Sequence, residues 1–157
     1  MSEFSLRPLL CLSVAALSLG VAWAAPDVAA VVAERQATMQ GFGKKIRLIK
    51  NFADGEDNGP AALAAAEEIQ ATARRLPELF PAGTSLADLP DVKTHAKPEI
   101  WSDGERFRGT ADRLAIQAQA LAAAIQRGDR PGTATELGAV GRVGCGACHE
   151  AFRAPLD

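Results

Sequence analysis

Between Val28 and Ile49 the positions Val28, Val32, Arg35, Met39, Phe42, Ile46 and Ile49 recur at alternating intervals of four and three. That spacing keeps all seven on one face of an α-helix of about six turns, and no other regular element accommodates it. A helix this long with one apolar face needs other helices to cover that face. The rest of the chain supplies them. Asp27, following Pro26, is placed to cap the first helix, which ends near Phe52 where turn formers gather from Asp54 to Gly59. Asn58 and Pro60 open a second helix that runs to Leu76. Four prolines between Pro77 and Pro98 exclude a regular element there and predict a crossover loop, broken by a short turn at Glu78 to Phe80. A third helix is expected from Glu99 to Arg127, with Trp101, Phe107, Leu114, Ala118, Leu121 and Ile125 on one side. The Gly128 to Gly132 segment stops it, and Thr133 or Thr135 caps a fourth that reaches the C-terminus. The expected fold is all-α, an antiparallel four-helix bundle.

Composition narrows the alternatives. The chain has 157 residues, 48% hydrophobic, which suits one domain and is short of two. Aromatics are 5% with no tyrosine, so the residues that fill sheets are too sparse for a sandwich or barrel. Apolar runs rich in alanine, leucine and isoleucine exclude disorder. A net charge of −2 provides no basic surface for neutralising phosphates, so nucleic-acid binding is not expected.

The first two dozen residues stand apart. Arg7 precedes an apolar run from Leu9 to Val21 that ends at Ala22-Trp23-Ala24, whose small alternate residues suit a signal peptidase. The run is about half a membrane span, so residues 1–24 are expected to be a cleaved signal peptide, with cleavage before Ala25 and the domain occupying 25–157. Cys11 lies before most of the apolar stretch, which argues against a lipid anchor, and no stable membrane insertion is expected. The mature chain then keeps one methionine (Met39), one tryptophan (Trp101), two histidines (His95, His149) and two cysteines (Cys145, Cys148).

Those cysteines decide the chemistry. Cys145-Gly-Ala-Cys148-His149 is the pattern C-x-x-C-H, in which two thiols form thioethers with the vinyl groups of one haem and the adjacent imidazole ligates its iron. Haem of this type is attached outside the cytoplasm, where the leader directs the chain. A thioredoxin-type dithiol would follow a strand, and none is expected. A zinc site needs four ligands, and only His95 could join from a proline-rich loop. A disulfide across three residues would constrain little. The glycines at 138, 141, 144 and 146 suit a helix that lies bare against a flat macrocycle, although a frayed helix also explains them.

The sixth iron position separates an electron carrier from a ligand-binding protein. Met39 lies on the inward face of the first helix and is the candidate distal ligand, the plainer alternative being a core methionine. Arg35, one turn earlier, is a candidate partner for a haem propionate, against a snorkelling arginine at a helix edge. Arg153, four residues after His149, either meets the haem edge or a propionate, or is a solvated terminal arginine complementing the helix dipole. His95 reads as a surface loop histidine and Trp101 as core.

Together these residues resemble the class II c-type cytochromes, the cytochrome c prime family, and most closely their low-spin cytochrome c-556 type. Cys145 to Arg153 looks like the family's closing motif, Arg35-Gln-Ala-Thr-Met39 like its first-helix segment, Leu76-Pro-Glu-Leu-Phe-Pro81 like the end of its second helix, and Ala96 to Asp103 like the entry to its third. The resemblance spans nearly all of residues 27–154. It implies a four-helix bundle with one covalent haem c and its iron near the C-terminus. In cytochrome c prime the distal residue is typically a non-ligating side chain, leaving five-coordinate iron that takes up small gases. In the c-556 branch a first-helix methionine ligates, and Met39 falls at that position. Gly41 and Gly43 flank this turn and are able to loosen it.

The expected function is that of a periplasmic carrier of single electrons, not an enzyme, with Cys145 and Cys148 as anchors and His149 and Met39 as iron ligands. Its partners are then a redox donor and acceptor protein. The alternative is a haem protein that binds nitric oxide or carbon monoxide, with Met39 as core. A peroxidase would need a distal acid–base group that the first helix lacks. The resemblance also admits a homodimer through the first two helices, since alanine-rich faces serve equally as core or subunit contact.

Overall fold

A computed structural model of the protein describes residues 27–89 and 92–155; the expected leader lies outside them. Asp27 accepts hydrogen bonds from the Ala29 and Ala30 amides and so caps α1, Val28–Asp54. The helix continues through Gly41 and Gly43 without a break, and buries Val32, Arg35, Phe42, Ile49 and Phe52. It ends at Gly55, whose φ of 122° is open only to glycine and lets its amide reach back to Phe52 O at 3.1 Å.

Pro60 opens α2, Gly59–Arg75. Asn58 precedes it but does not cap it; its Nδ2 instead donates to Leu48 O at 3.2 Å and ties the turn to α1. A single 3₁₀ turn, Leu76–Leu79, then leads into the crossover. The third helical stretch is not continuous: α3, Glu99–Ser102, is separated from α4, Gly104–Gln126, at Asp103, whose φ/ψ of −125°/50° leave the helical region. Aspartate followed by glycine is the weakest helix-forming pair in that stretch. Gly128, at φ 68°, closes α4's end.

The fourth helix starts earlier than either threonine would place it. Asp129 caps it, accepting from Gly132 N at 2.9 Å, and Pro131 occupies its first turn. Thr133 is fully buried and returns its hydroxyl to Asp129 O, while the Thr135 hydroxyl bonds Pro131 O. This helix comprises α5, Arg130–Ala139, a π-helical segment, Val140–Gly146, and α6, Ala147–Phe152.

Among the described residues there is no strand, only an isolated antiparallel bridge between Ala96 and Arg153. The long helices form a four-helix bundle in which α2 packs most extensively on α4. Alanines on α2 (Ala62, Ala66, Ala73) and α4 (Ala111, Ala118) are almost wholly buried and let these helices approach closely. Larger residues such as Ile49, Ile69 and Leu121 fill the space between, each worth about 1.5–3 kcal/mol on burial. A second, smaller cluster of Ile100, Phe107 and Phe152 closes the end of the bundle where the crossover returns.

Candidate haem-attachment site

Cys145 and Cys148 stand on the fourth helix, one near the end of the π segment and the other in the first turn of α6. Both are free thiols and both are half-buried. They face different surroundings: Cys145 packs against the aliphatic core, and Cys148 against the aromatic cluster. Burial pushes both thiols up, Cys148 to about 11, where the neighbouring Cys145 adds to the effect and Arg113 opposes it. His149 is shifted the other way, first by burial and then by the Arg153 guanidinium. A neutral imidazole has a lone pair to offer a metal.

Met39 also borders the aliphatic core, at its partly buried edge on α1. The cluster that receives Cys145 therefore receives the only thioether of the described residues as well.

Arg35 takes a position the sequence did not disclose. It is 4% exposed, and burial pushes its guanidinium down to about 10, so it remains charged at neutral pH. Nε donates to Leu79 O, Nη1 to Thr84 O at 3.0 Å, and Nη2 to Thr84 Oγ1. Its Cζ lies 4.4 Å from the Phe80 ring centroid and 5.5 Å from that of Trp101. Trp101 Nε1 donates to Phe80 O and Pro81 O, at 3.1 and 2.9 Å, and Thr84 Oγ1 donates to Pro81 O at 2.6 Å. One cation thus organises the crossover from Leu79 to Thr84. No carboxylate among the described residues pairs with it. Thr84 and Phe80 lay in a stretch whose prolines masked any regular pattern; the signal that could have found them was Arg35 itself, a charge on an inward face that needs several acceptors.

Arg153 is exposed and lies just beyond α6 in extended backbone, so it leaves the helical face of His149, although its amide still bonds His149 O at 3.0 Å. The crossover pairs with this segment: Lys97 N donates to Phe152 O at 3.0 Å and Ala154 N to His95 O at 2.8 Å. His95 places Nδ1 3.1 Å from Pro155 O, and Lys97 Nζ donates to Glu150 O at 3.0 Å. His95 therefore has a structural neighbour in the terminal segment. No cluster of three or more histidine, cysteine or acidic residues able to hold a metal ion occurs among the described residues.

The glycines before the motif do not act as one surface. A Cβ at Gly144 would lie 2.7 Å from Leu114 Cδ1, so this buried glycine serves close contact between the fourth helix and α4. A Cβ at Gly141 would touch nothing within 4 Å.

Two unpaired, partly buried thiols one turn apart, the imidazole beside them and a lone buried cation nearby form a donor set that suits a covalently anchored anionic macrocycle. Residues 30–153 match the family described as cytochrome C′. The chain belongs to the cytochrome c′ family. It is 33% identical over 125 residues to a cytochrome c′ of Pararhodospirillum photometricum, covering 79% of this chain and 96% of that one. It is 31% identical over 124 residues to a cytochrome c-556 of Agrobacterium tumefaciens strain B2A, covering 78% and 95%. A solved cytochrome c′ described as having an unusual ligand-controlled dimer dissociation superposes with a TM-score of 0.74 at 32% identity, covering 84% of this chain and 100% of the other. As a member of the cytochrome c′ family, the protein is an electron-transport haem protein carrying haem c and its iron, with Cys145 and Cys148 at the C-x-x-C-H attachment positions. No helix among the described residues is long and apolar enough to cross a membrane.

Proposed function

We propose that the protein is a periplasmic carrier of single electrons, exported by the leader at residues 1–24, with His149 as proximal and Met39 as distal ligand of a low-spin iron. The observation that carries this reading is the shared surroundings of Met39 and Cys145, which border the same aliphatic cluster from α1 and from the fourth helix. The c-556 of Agrobacterium tumefaciens among the relatives is consistent with it. When bound, the haem supplies a one-electron ferric/ferrous couple.

The chain's own residues hold that couple in place. Cys145 and Cys148 would fix the macrocycle to one helix, while His149 on that helix and Met39 on the neighbouring α1 would hold its iron from two elements packed on one another. Met39 borders the aliphatic cluster, whereas His149 lines a cleft with Lys97, Glu150 and Arg153. Arg35 brings a permanent charge to the site end of the bundle, and its N–H donors not used by Leu79 and Thr84 are the candidate propionate contact. Arg153, exposed beside His149, raises the field around the imidazole and is the second candidate. The electron donor and acceptor are redox proteins, and the exposed Ala29, Ala33 and Ala37 of α1 and Ala61, Ala64 and Ala71 of α2 leave small surfaces compatible with a homodimer through those helices.

A second reading has its own support, because the cytochrome c′ of Pararhodospirillum photometricum and the superposing solved structure are both named cytochrome c′. In it Met39 is core and the distal position takes up nitric oxide or carbon monoxide. Ferric absorption spectra of wild type and Met39→Ala separate the two. The carrier reading expects a low-spin wild type with a sulfur-to-iron charge-transfer band that disappears in the variant. A high-spin wild type whose spectrum the substitution leaves unchanged rejects Met39 as a ligand.

A further inference from the structure

The fourth helix changes its winding immediately before the haem ligand. Val140 N–H donates to Glu136 O, four residues back, as in any α-helix. Ala147 N–H donates to Arg142 O, five residues back, and Arg153 N–H again donates to a carbonyl four back, on His149. The Val140–Gly146 segment is thus a π turn inside a continuous helix, and such a turn absorbs one residue without advancing the helical register.

The buried positions show what that does. Thr133 and Phe152 are 0% and 2% exposed and nineteen residues apart. At about 100° per residue an uninterrupted α-helix would leave Phe152 about 100° round from Thr133, whereas absorbing one residue brings the pair to five whole turns. Val140, also fully buried, gives the same answer from a shorter span: Phe152 would stand about 120° away in plain α winding, and about 20° away with one residue absorbed. On the same count His149 would point about 180° from Val140, directly away from the bundle, instead of about 80°. Cys148, about 80° away in plain winding, comes to within about 20°. The turn is held at two points. Gly144 is pressed against Leu114, where a Cβ would intrude to 2.7 Å, and Gly146 lies close enough to Gly141 O that a Cβ would meet it at 3.1 Å.

We propose that the π turn at Val140–Gly146 is the register device of this cytochrome: by absorbing one residue it turns Cys148, His149 and Phe152 toward the bundle while the upstream half of the helix stays packed on α4. Gly144 and Gly146 act as positioning residues for the ligand and touch none of the reacting atoms themselves. The role is independent of whether Met39 ligates, since it concerns the attachment helix alone.

Changing the number of residues in the turn tests this in opposite directions. Deleting Gly141, which is exposed and touches nothing with its Cβ position, removes the residue the turn absorbs, so the helix winds as α throughout and the ligands keep their direction. Inserting an alanine between Gly141 and Arg142 adds a residue the turn has no means to absorb and rotates everything after it by about 100°. Each variant is expressed in a host that attaches haem c. The number of thioether bonds is read from the pyridine haemochrome band and intact mass, the spin state from the absorption spectrum, and helix content from far-ultraviolet circular dichroism.

The deletion is expected to keep two thioethers, the wild-type spectrum and a holoprotein yield within about twofold, while the insertion reduces doubly attached haem to about one-tenth or less. A chain with the insertion and a compensating deletion of Val143 regains both thioethers. The proposal is overturned if the deletion variant, helical by circular dichroism, loses a thioether or changes spin state, or if the insertion variant retains both bonds and the wild-type spectrum. Should the insertion prevent folding, the deletion and the compensated variant decide the matter alone.

Discussion

The two ends of the core are built on different principles. The larger cluster joins α1, α2, α4 and the fourth helix mainly through alanines and aliphatic side chains, with Phe42 and Phe52 among them but no stacked aromatic group, and its energetics follow from area and close packing. The smaller one is aromatic: Phe80, Phe107 and Phe152 meet edge to face with centroids 5.0 and 5.2 Å apart, Trp101 joins 6.0 Å from Phe80, and Arg35 lies over two of the rings. One cluster needs only helices. The other needs a crossover loop, a buried cation and the terminal segment to come together, and it is there that Cys148 is presented. Close packing of the helices and the presentation of Cys148 are therefore separable, although Cys145 and Met39 border the larger cluster.

Phe152→Ala should set the two clusters apart most strongly. It removes the ring that links α6 to Phe107, and is expected to destabilise the holoprotein by about 3–5 kcal/mol in denaturant titrations and to shift the haem absorption bands. Leu121→Ala in the larger cluster is expected to cost about 2–4 kcal/mol and leave those bands where they were. Equal spectral changes in the two variants would show that the clusters are not separable. Arg35→Met should lose about 1–3 kcal/mol, because Leu79 O and Thr84 Oγ1 lose their donor. A cation near the iron favours the ferrous form, so the same variant should have a lower reduction potential; an unchanged potential would place Arg35 in a purely structural role. Lys50→Ala breaks the exposed pair with Asp54, and a melting experiment should register a few tenths of a kcal/mol, about the limit of detection.

The larger cluster was legible from the chain alone. The spacing from Val28 to Ile49 anticipates the buried face of α1, and Asp27 its cap, because both depend on neighbours within a few residues. The same holds for the C-x-x-C-H motif, whose spacing is set by haem geometry. The aromatic end was less legible, because its contacts join residues far apart: Arg35 with Thr84, Trp101 with Pro81, Lys97 with Phe152. The role of Asp129 as a cap is hidden in the sequence because Pro131, which reads as a stop for α4, also starts the next helix. The break at Asp103 is a local conformational preference that the apolar periodicity of Trp101, Phe107 and Leu114 hid. The π turn is invisible to a pattern search that assumes one period throughout, yet the displaced phase of Phe152 against Thr133 was present in the spacing.

Carbon monoxide titration of the reduced wild-type protein decides whether the Met39 thioether takes the proposed sixth position of the iron. Met39 ligation predicts a low-spin ferrous spectrum and little uptake at concentrations that saturate the Met39→Ala variant. Rapid, stoichiometric uptake by a high-spin wild type would contradict it and make the protein a binder of small gases.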